Sequence, residues 1–292
     1  METYENAIEI RDLTVKYDGF TLDKISFDVA KGSIMGFIGQ NGAGKTTTIK
    51  ALLNIIKRDE GTIRMLGLDN VKDEIAIKEQ MAAVFDELPF HDQLNAKSID
   101  IILRDVYKEW NSDVFKGYLD RLALPERKKI GDFSKGMKMK LQIAAALSHN
   151  AKLLIMDEAT TGLDPVVRNE CLDIFLEYLQ DEDHSILMSS HITTDLEKVA
   201  DSVTFINKGK LLLTGYKDDV LDRHGVIKCK KSDYKELDPS DIVSARLTDF
   251  GAEVMINDKT LCRSKYAGLV LDNTTLEEIM LYYVNMGKKE WT

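Results

Sequence analysis

Three short stretches of this sequence carry residue types whose chemistry depends on their spacing. Gly39-Gln40-Asn41-Gly42-Ala43-Gly44-Lys45-Thr46 fills every fixed position of the pattern G-x-x-x-x-G-K-[ST]. The glycines let successive backbone N–H groups turn inward, and a helix starting there adds its positive end, so the loop suits a nucleotide β-phosphate. Lys45 is then placed to reach the β- and γ-phosphates and Thr46 to offer its hydroxyl to Mg²⁺, with Gly39, Asn41, Gly42, Ala43, Gly44 and Thr47 as the other expected nucleotide contacts. Downstream, the apolar run Leu153 to Met156 ends in Asp157-Glu158. Adjacent residues leave a strand in different directions, so Asp157 can hold Mg²⁺ through its water shell while Glu158 orients and deprotonates an attacking water. Ser189-Ser190-His191 closes a further apolar run, Ile186 to Met188.

These groups are useful only if the chain brings them to one edge. Ile34 to Ile38 is a short buried-strand pattern leading into the glycine loop, and Ile49, Leu52, Leu53 and Ile56 follow at helical spacing. With Leu153 to Met156, Ile186 to Met188 and Val203 to Ile206, this predicts a parallel sheet covered by helices, whose strand ends share one ligand-binding edge. Ile8 to Val15 and Ile25 to Val29, around a Tyr17-Asp18-Gly19 turn, predict a small antiparallel layer. Between about residues 90 and 150 helical patterns such as Ile99 to Trp110 and Lys138 to Ser148 predominate, as in an inserted helical subdomain. After Gly215, strand patterns at Val226 to Cys229, Glu253 to Ile256 and Gly268 to Leu271 precede a helix from Thr275 to Met286 with a Thr275/Glu278 capping box. Asn207-Lys208-Gly209-Lys210 resembles a guanine-reading element but has Lys where the base-reading Asp belongs, and reads as a turn.

Composition narrows the classes. The 292 residues are 44% hydrophobic and 30% charged with four prolines, which fits a globular chain with a sizeable core. The apolar runs fall far short of the roughly 18 residues a spanning helix needs, and the start Met-Glu-Thr-Tyr-Glu-Asn lacks the pattern of a secretion signal, so a cytosolic chain is expected. A formal charge of −10 gives no reason to expect nucleic acid. Cys171, Cys229 and Cys262 are three in number and far apart, as ordinary reduced thiols would be. His91, His149, His184 and His224 are assigned no chemistry, His149 being read as a helix C-terminal residue where a cation is favoured.

Phe133-Ser134-Lys135-Gly136-Met137, just before a helical pattern and upstream of Asp157-Glu158, resembles the signature loop LSGGQ of ABC ATPases. The resemblance implies a P-loop NTPase of α/β class: a RecA-like core with an antiparallel β layer and an inserted helical subdomain over 1–215, and a small C-terminal α/β extension over 216–292. It implies ATP and Mg²⁺ as cofactors, with Ser134 and Gly136 facing the γ-phosphate bound by a second nucleotide-binding subunit, identical or not. Thr161-Gly162-Leu163-Asp164-Pro165 resembles the D-loop, placing Asp164 at the dimer interface. His191 resembles the switch histidine, which bonds the γ-phosphate and positions Glu158, and Tyr17 the ring that stacks on adenine. The catalytic set so implied is Lys45, Glu158 and His191. The partners are separately encoded membrane permease subunits, with the chain peripheral at the inner face of the cell membrane, and the general pattern resembles bacterial exporters of drugs, lipids or peptides.

Two positions depart from the family pattern. Asp86, in Val84-Phe85-Asp86-Glu87, stands where a Mg²⁺-contacting glutamine is usual, adding negative charge near a polyphosphate. Lys135 puts a cation in the signature loop, where an ordinary solvated lysine is the alternative reading. A soluble ABC ATPase that remodels ribosomes or DNA is the rival function, and it usually carries two cassettes or a long coiled coil, neither of which is seen here. A module that senses ATP without hydrolysing it is a third, to be recognised by tight binding without phosphate release.

Overall fold

The computed structural model describes residues 5–286, so part of the acidic start lies outside the described residues. Strands β1 (Asn6–Tyr17) and β2 (Phe20–Ala30) form a hairpin around Asp18-Gly19, longer at both ends than the alternation predicts. The chain then enters β3 (Ile34–Ile38), buried at every residue, and after the glycine loop α1 (Lys45–Leu52). The helix stops before Ile56 because Asn54 adopts a left-handed φ of 54°, which breaks the helical run. Next, β4 (Glu60–Met65) and β5 (Leu68–Asp69) join the hairpin to give the antiparallel order β2-β1-β4-β5.

Helix α2 (Glu74–Glu79) leads to β6 (Met81–Phe85), after which come α3 (Ala96–Val106), α4 (Ser112–Arg121) and α5 (Lys135–Ala146). The central sheet resumes with β7 (Leu153–Asp157), α6 (Pro165–Tyr178), β8 (Ser185–Ser190), α7 (Thr193–Val199), β9 (Ser202–Asn207) and β10 (Lys210–Tyr216). Its order is β10-β9-β3-β8-β7-β6, parallel throughout except for β10. Alternation explains the layers. Ile34, Ile38, Leu154, Met156, Ile186 and Met188 face one core with the helices, while Met35, Phe37, Leu153, Ile155 and Leu187 face another with the antiparallel layer and α1. Strands covered on both faces read as continuous apolar runs, which is why these were visible in the sequence.

The Asn207–Lys210 turn is a tight hairpin with Lys208 and Gly209 at φ 47° and 74°, the geometry that matches strand twist. Helix α8 (Lys217–Arg223) leads into β11 (Gly225–Cys229), α9 (Lys231–Tyr234), β12 (Ile242–Leu247), β13 (Ala252–Ile256), α10 (Lys259–Lys265), β14 (Val270–Asp272) and α11 (Leu276–Val284). These strands make an antiparallel sheet ordered β12-β13-β11-β14, and Thr275 and Glu278 form the expected capping box. Val226 and Met255 share the helix-side core of the central sheet, while Ile227, Val254 and Ile256 enclose a third core. Helix α11 is tied to α7 by the Leu276 N–H, which donates to Glu197 Oε1 at 2.7 Å. Among the described residues no helix is long and apolar enough to cross a membrane, and the three cysteines are free.

One histidine, His149, differs from the helix-end cation expected of it, and His224 shares its buried state. His149 is buried, stacked on Tyr107, with Nε2 3.1 Å from the Met81 carbonyl, and burial pushes its pKa below the ordinary value. His224 is also buried, with Nδ1 2.7 Å from the Val220 carbonyl and Nε2 2.8 Å from the Tyr283 hydroxyl, and burial lowers its pKa too. Desolvation outweighs the helix-end attraction that would favour a cation. Folding therefore excludes protons that the unfolded chain binds below about pH 6.5. Urea unfolding should show stability level above pH 7 and falling between pH 6.5 and 5.5, by at most about 1.4 kcal/mol per pH unit for each ring. Replacing both histidines with Gln should flatten this slope; an unchanged slope would assign it to other groups.

Candidate nucleotide-binding site

The glycine loop lies between the C-terminal end of β3 and the start of α1. Gly44 is the N-cap, at φ 116°, and no side chain caps the helix, so its first-turn N–H groups point at the cleft unmatched by a side-chain acceptor. Gly39 is demanded by contact, and Gly44 by contact and by its left-handed conformation. A Cβ at Gly39 would lie 2.6 Å from the Ile206 carbonyl oxygen, and one at Gly44 would lie 2.7 Å from Leu22. The cleft, about 530 Å³, is lined by Phe20, Gln40, Asn41, Gly42, Gly44, Lys45, Thr46, Thr47 and Glu158. Gly39 and Ala43 shape the loop from behind. Sequence reading missed Phe20 and Gln40. Tyr17 sits across the hairpin from Phe20, half exposed, and is not among the lining residues.

Lys45 is only 5% exposed, and a buried ammonium must be paired. It donates to the Gly39 carbonyl at 2.6 Å and the Gln40 carbonyl at 3.4 Å, and lies 2.9 Å from Glu158 Oε1. Glu158 is held in place from the other oxygen. Oε2 accepts from Thr161 Oγ1 at 2.8 Å and lies 2.6 Å from His191 Nδ1, which must carry the proton because a carboxylate only accepts. Burial pushes the Glu158 pKa up, but bonds from Lys45, Thr161 and His191 outweigh it and leave the carboxyl below its ordinary value. Its backbone is left-handed, φ 54°, a strain offset by its N–H donating to the Ser189 carbonyl at 3.1 Å and hydroxyl at 3.2 Å. That turn aims the side chain back towards the cleft.

Asp157 is buried beside it, accepting from the Ser189 hydroxyl at 2.6 Å. Among the described residues no group of three or more His, Cys, Asp or Glu side chains is arranged to hold a metal. A hydroxyl at Thr46 and one carboxylate at Asp157 instead fit Mg²⁺, which keeps its waters and takes further oxygens from a bound polyphosphate. Asp86 is engaged elsewhere, its carboxylate paired with Lys135.

Ser134 and Asp164 lie outside the cleft lining. Ser134 caps α5, its hydroxyl accepting from Met137 N–H at 3.2 Å, and Asp164 caps α6, accepting from the Val166 and Val167 N–H groups at 3.1 Å. Gly136 packs against Val167, which brings the two helix starts together.

A family model described as ABC transporter matches residues 22–161. The chain is 31% identical over 205 residues to the ABC transporter ATP-binding protein YtrB of Bacillus subtilis (strain 168), covering 70% of each. It is 35% identical over 208 residues to the bacitracin transport ATP-binding protein BcrA of Bacillus licheniformis, covering 70% of this chain and 68% of that one. A solved structure of an ATP-binding subunit of an ABC transporter superposes with a TM-score of 0.67 at 27% identity, over 73% of this chain and 91% of the other.

Gly209 fixes the loop from the side of the β9–β10 turn. Its N–H donates to the Ala43 carbonyl and its carbonyl accepts from Asp23 N–H, both at 2.8 Å. A Cβ there would lie 1.8 Å from the Thr21 carbonyl oxygen, on a residue already at positive φ. Gly209→Ala should lower thermal stability and weaken nucleotide binding about tenfold or more by displacing Ala43, one such displacement being worth roughly 1–3 kcal/mol. Calorimetry and nucleotide titration check both; nucleotide affinity equal to the parent's would show that this brace does not shape the loop.

Proposed function

We propose, because this chain belongs to the ABC transporter family of ATP-binding subunits, that it closes on ATP with a second such subunit and drives separately encoded membrane permeases. ATP binding and hydrolysis are general to that family. One observation carries the dimeric reading: the Ser134 loop contributes nothing to the cleft at Lys45. Ser134 and the start of α5 form a second anion-suited helix end, and a facing subunit's nucleotide gives it a partner.

In this reading Lys45, the loop N–H groups, Thr46 and Thr47 hold the polyphosphate, while Phe20 or Tyr17 offers an aromatic face to the base. Mg²⁺, held through Thr46 and Asp157, would neutralise charge on the phosphates. Glu158 takes a proton from the attacking water, with His191 holding its far oxygen, and Asp164 lies at the subunit boundary.

An apolar groove of about 420 Å³ runs between Ile55, Ile75, Phe85 and Val106, with Ile75 77% exposed. It adjoins the strand end that carries Asp86, and it suits a cytoplasmic helix of a permease. Force delivered there would make the chain peripheral at the inner face of the membrane. We read the cargo as a drug, lipid or peptide moved outward; a relative named for bacitracin transport supports a drug or peptide cargo. Residues 1–215 form the ATPase unit in this reading and 216–292 an accessory region braced on α7.

The test is ATP-driven association. Glu158→Gln should hydrolyse ATP ~10² slower or worse. Sedimentation should show it shifting from monomer to dimer on MgATP and back on ADP. Ser134→Arg in that background should keep nucleotide binding but stay monomeric. A dimer indifferent to Ser134→Arg would overturn the two-loop arrangement.

A further inference from the structure

Asp86 and Lys135, 49 residues apart, meet in the fold, their carboxylate and ammonium in direct contact and each a little under half exposed. Asp86 is the first residue beyond β6, at the edge where Phe85 pairs with Asp157. Lys135 is the first residue of α5, immediately after the Ser134 cap. Its ammonium also lies against the turn that follows Glu158, 3.2 Å from where a Cβ on Gly162 would be. Further along α5, Gln142 grips the same segment, accepting from Phe85 N–H at 3.1 Å and donating to the Phe85 carbonyl at 2.9 Å.

The helix carrying Ser134 is thus fastened to one strand end at two points of different kind. The Gln142 amide pair is part-buried, neutral and directional. The ion pair is half exposed, and such pairs are weak and readily exchanged. A cation at a helix N-terminus also faces the positive end of the helix dipole, so Lys135 depends on an anion. Asp86 is that anion within the chain; a terminal phosphate facing the same helix start would be a stronger one, adding charge and accepting from the Ser134 hydroxyl and α5 N–H groups.

We propose that Asp86 is a built-in competitor for Lys135: it holds the ammonium within its own subunit, and the γ-phosphate of ATP held by the facing subunit must displace it for the dimer to close. The proposal rests on the two-loop reading above. Asp86 is then a positioning residue that sets the ATP threshold for closure.

The experiment uses the full chain carrying Glu158→Gln and measures by sedimentation the MgATP concentration for half-maximal dimerisation, at low and high salt. Adding Asp86→Asn should lower that concentration about two- to fivefold, the size of an exposed ion pair. Asp86→Glu should restore the parent value. High salt should shrink the difference. In a Lys135→Met background Asp86→Asn should change nothing. A parent-like or raised requirement in Asp86→Asn, or the same shift with Lys135→Met present, overturns the proposal; a rise with weaker MgATP binding to the monomer would assign the carboxylate to metal. Failure of the Glu158→Gln parent to dimerise overturns the two-loop reading as well, whereas a dimer indifferent to Asp86 overturns this proposal alone.

Discussion

A buried ammonium cannot stand alone, and the site is organised around that of Lys45. Its donors meet the Gly39 and Gln40 carbonyls and face Glu158, so the loop's curl and the carboxylate's position are set by one charge. The left-handed backbone of Glu158 follows from the same need, because an ordinary strand continuation would not turn the side chain back to the loop. Thr161 and His191 then take the second carboxylate oxygen. In the proposed function, a polyphosphate entering the cleft would offer Lys45 a stronger anion and free Glu158 for water, so that binding and the arming of the base would be one exchange of partners.

The scaffold keeps these groups within reach through strand alternation and a few polar ties. Successive residues of β3, β7 and β8 feed opposite cores, and the parallel pairing of the three strands puts their carboxyl ends at one edge. Ser189 links β8 to both acids at the end of β7. Gln142 does the same between α5 and β6. The third sheet reaches the site less directly, through α11 on α7, the helix that begins two residues after His191.

What could be read from the sequence was contiguous. The glycine loop, the Asp157-Glu158 strand end and the buried runs of β3, β7 and β8 each announce themselves within a few residues. Strands β4, β5 and β12 do not, because they are short or only partly covered and depend on partners distant in sequence. That Phe20, across the hairpin from Tyr17, lines the cleft was not legible, because facing within a hairpin is decided by register. Neutral His149 and His224 were hidden for a related reason: burial is a property of the packed chain, while a helix end at His149 and charged neighbours of His224 point the other way. Asp86 and Lys135 could each be seen to be unusual, yet their pairing could not, since nothing local encodes a contact between β6 and α5.

Competition between Glu158 and a polyphosphate for the Lys45 ammonium is tested most directly by titrating the chain and its Glu158→Gln variant with a non-hydrolysable ATP analogue, at concentrations where both are monomeric. Removing the carboxylate's charge should tighten binding several-fold, since the phosphate then displaces only neutral carbonyls. Equal or weaker binding by Glu158→Gln would contradict the exchange.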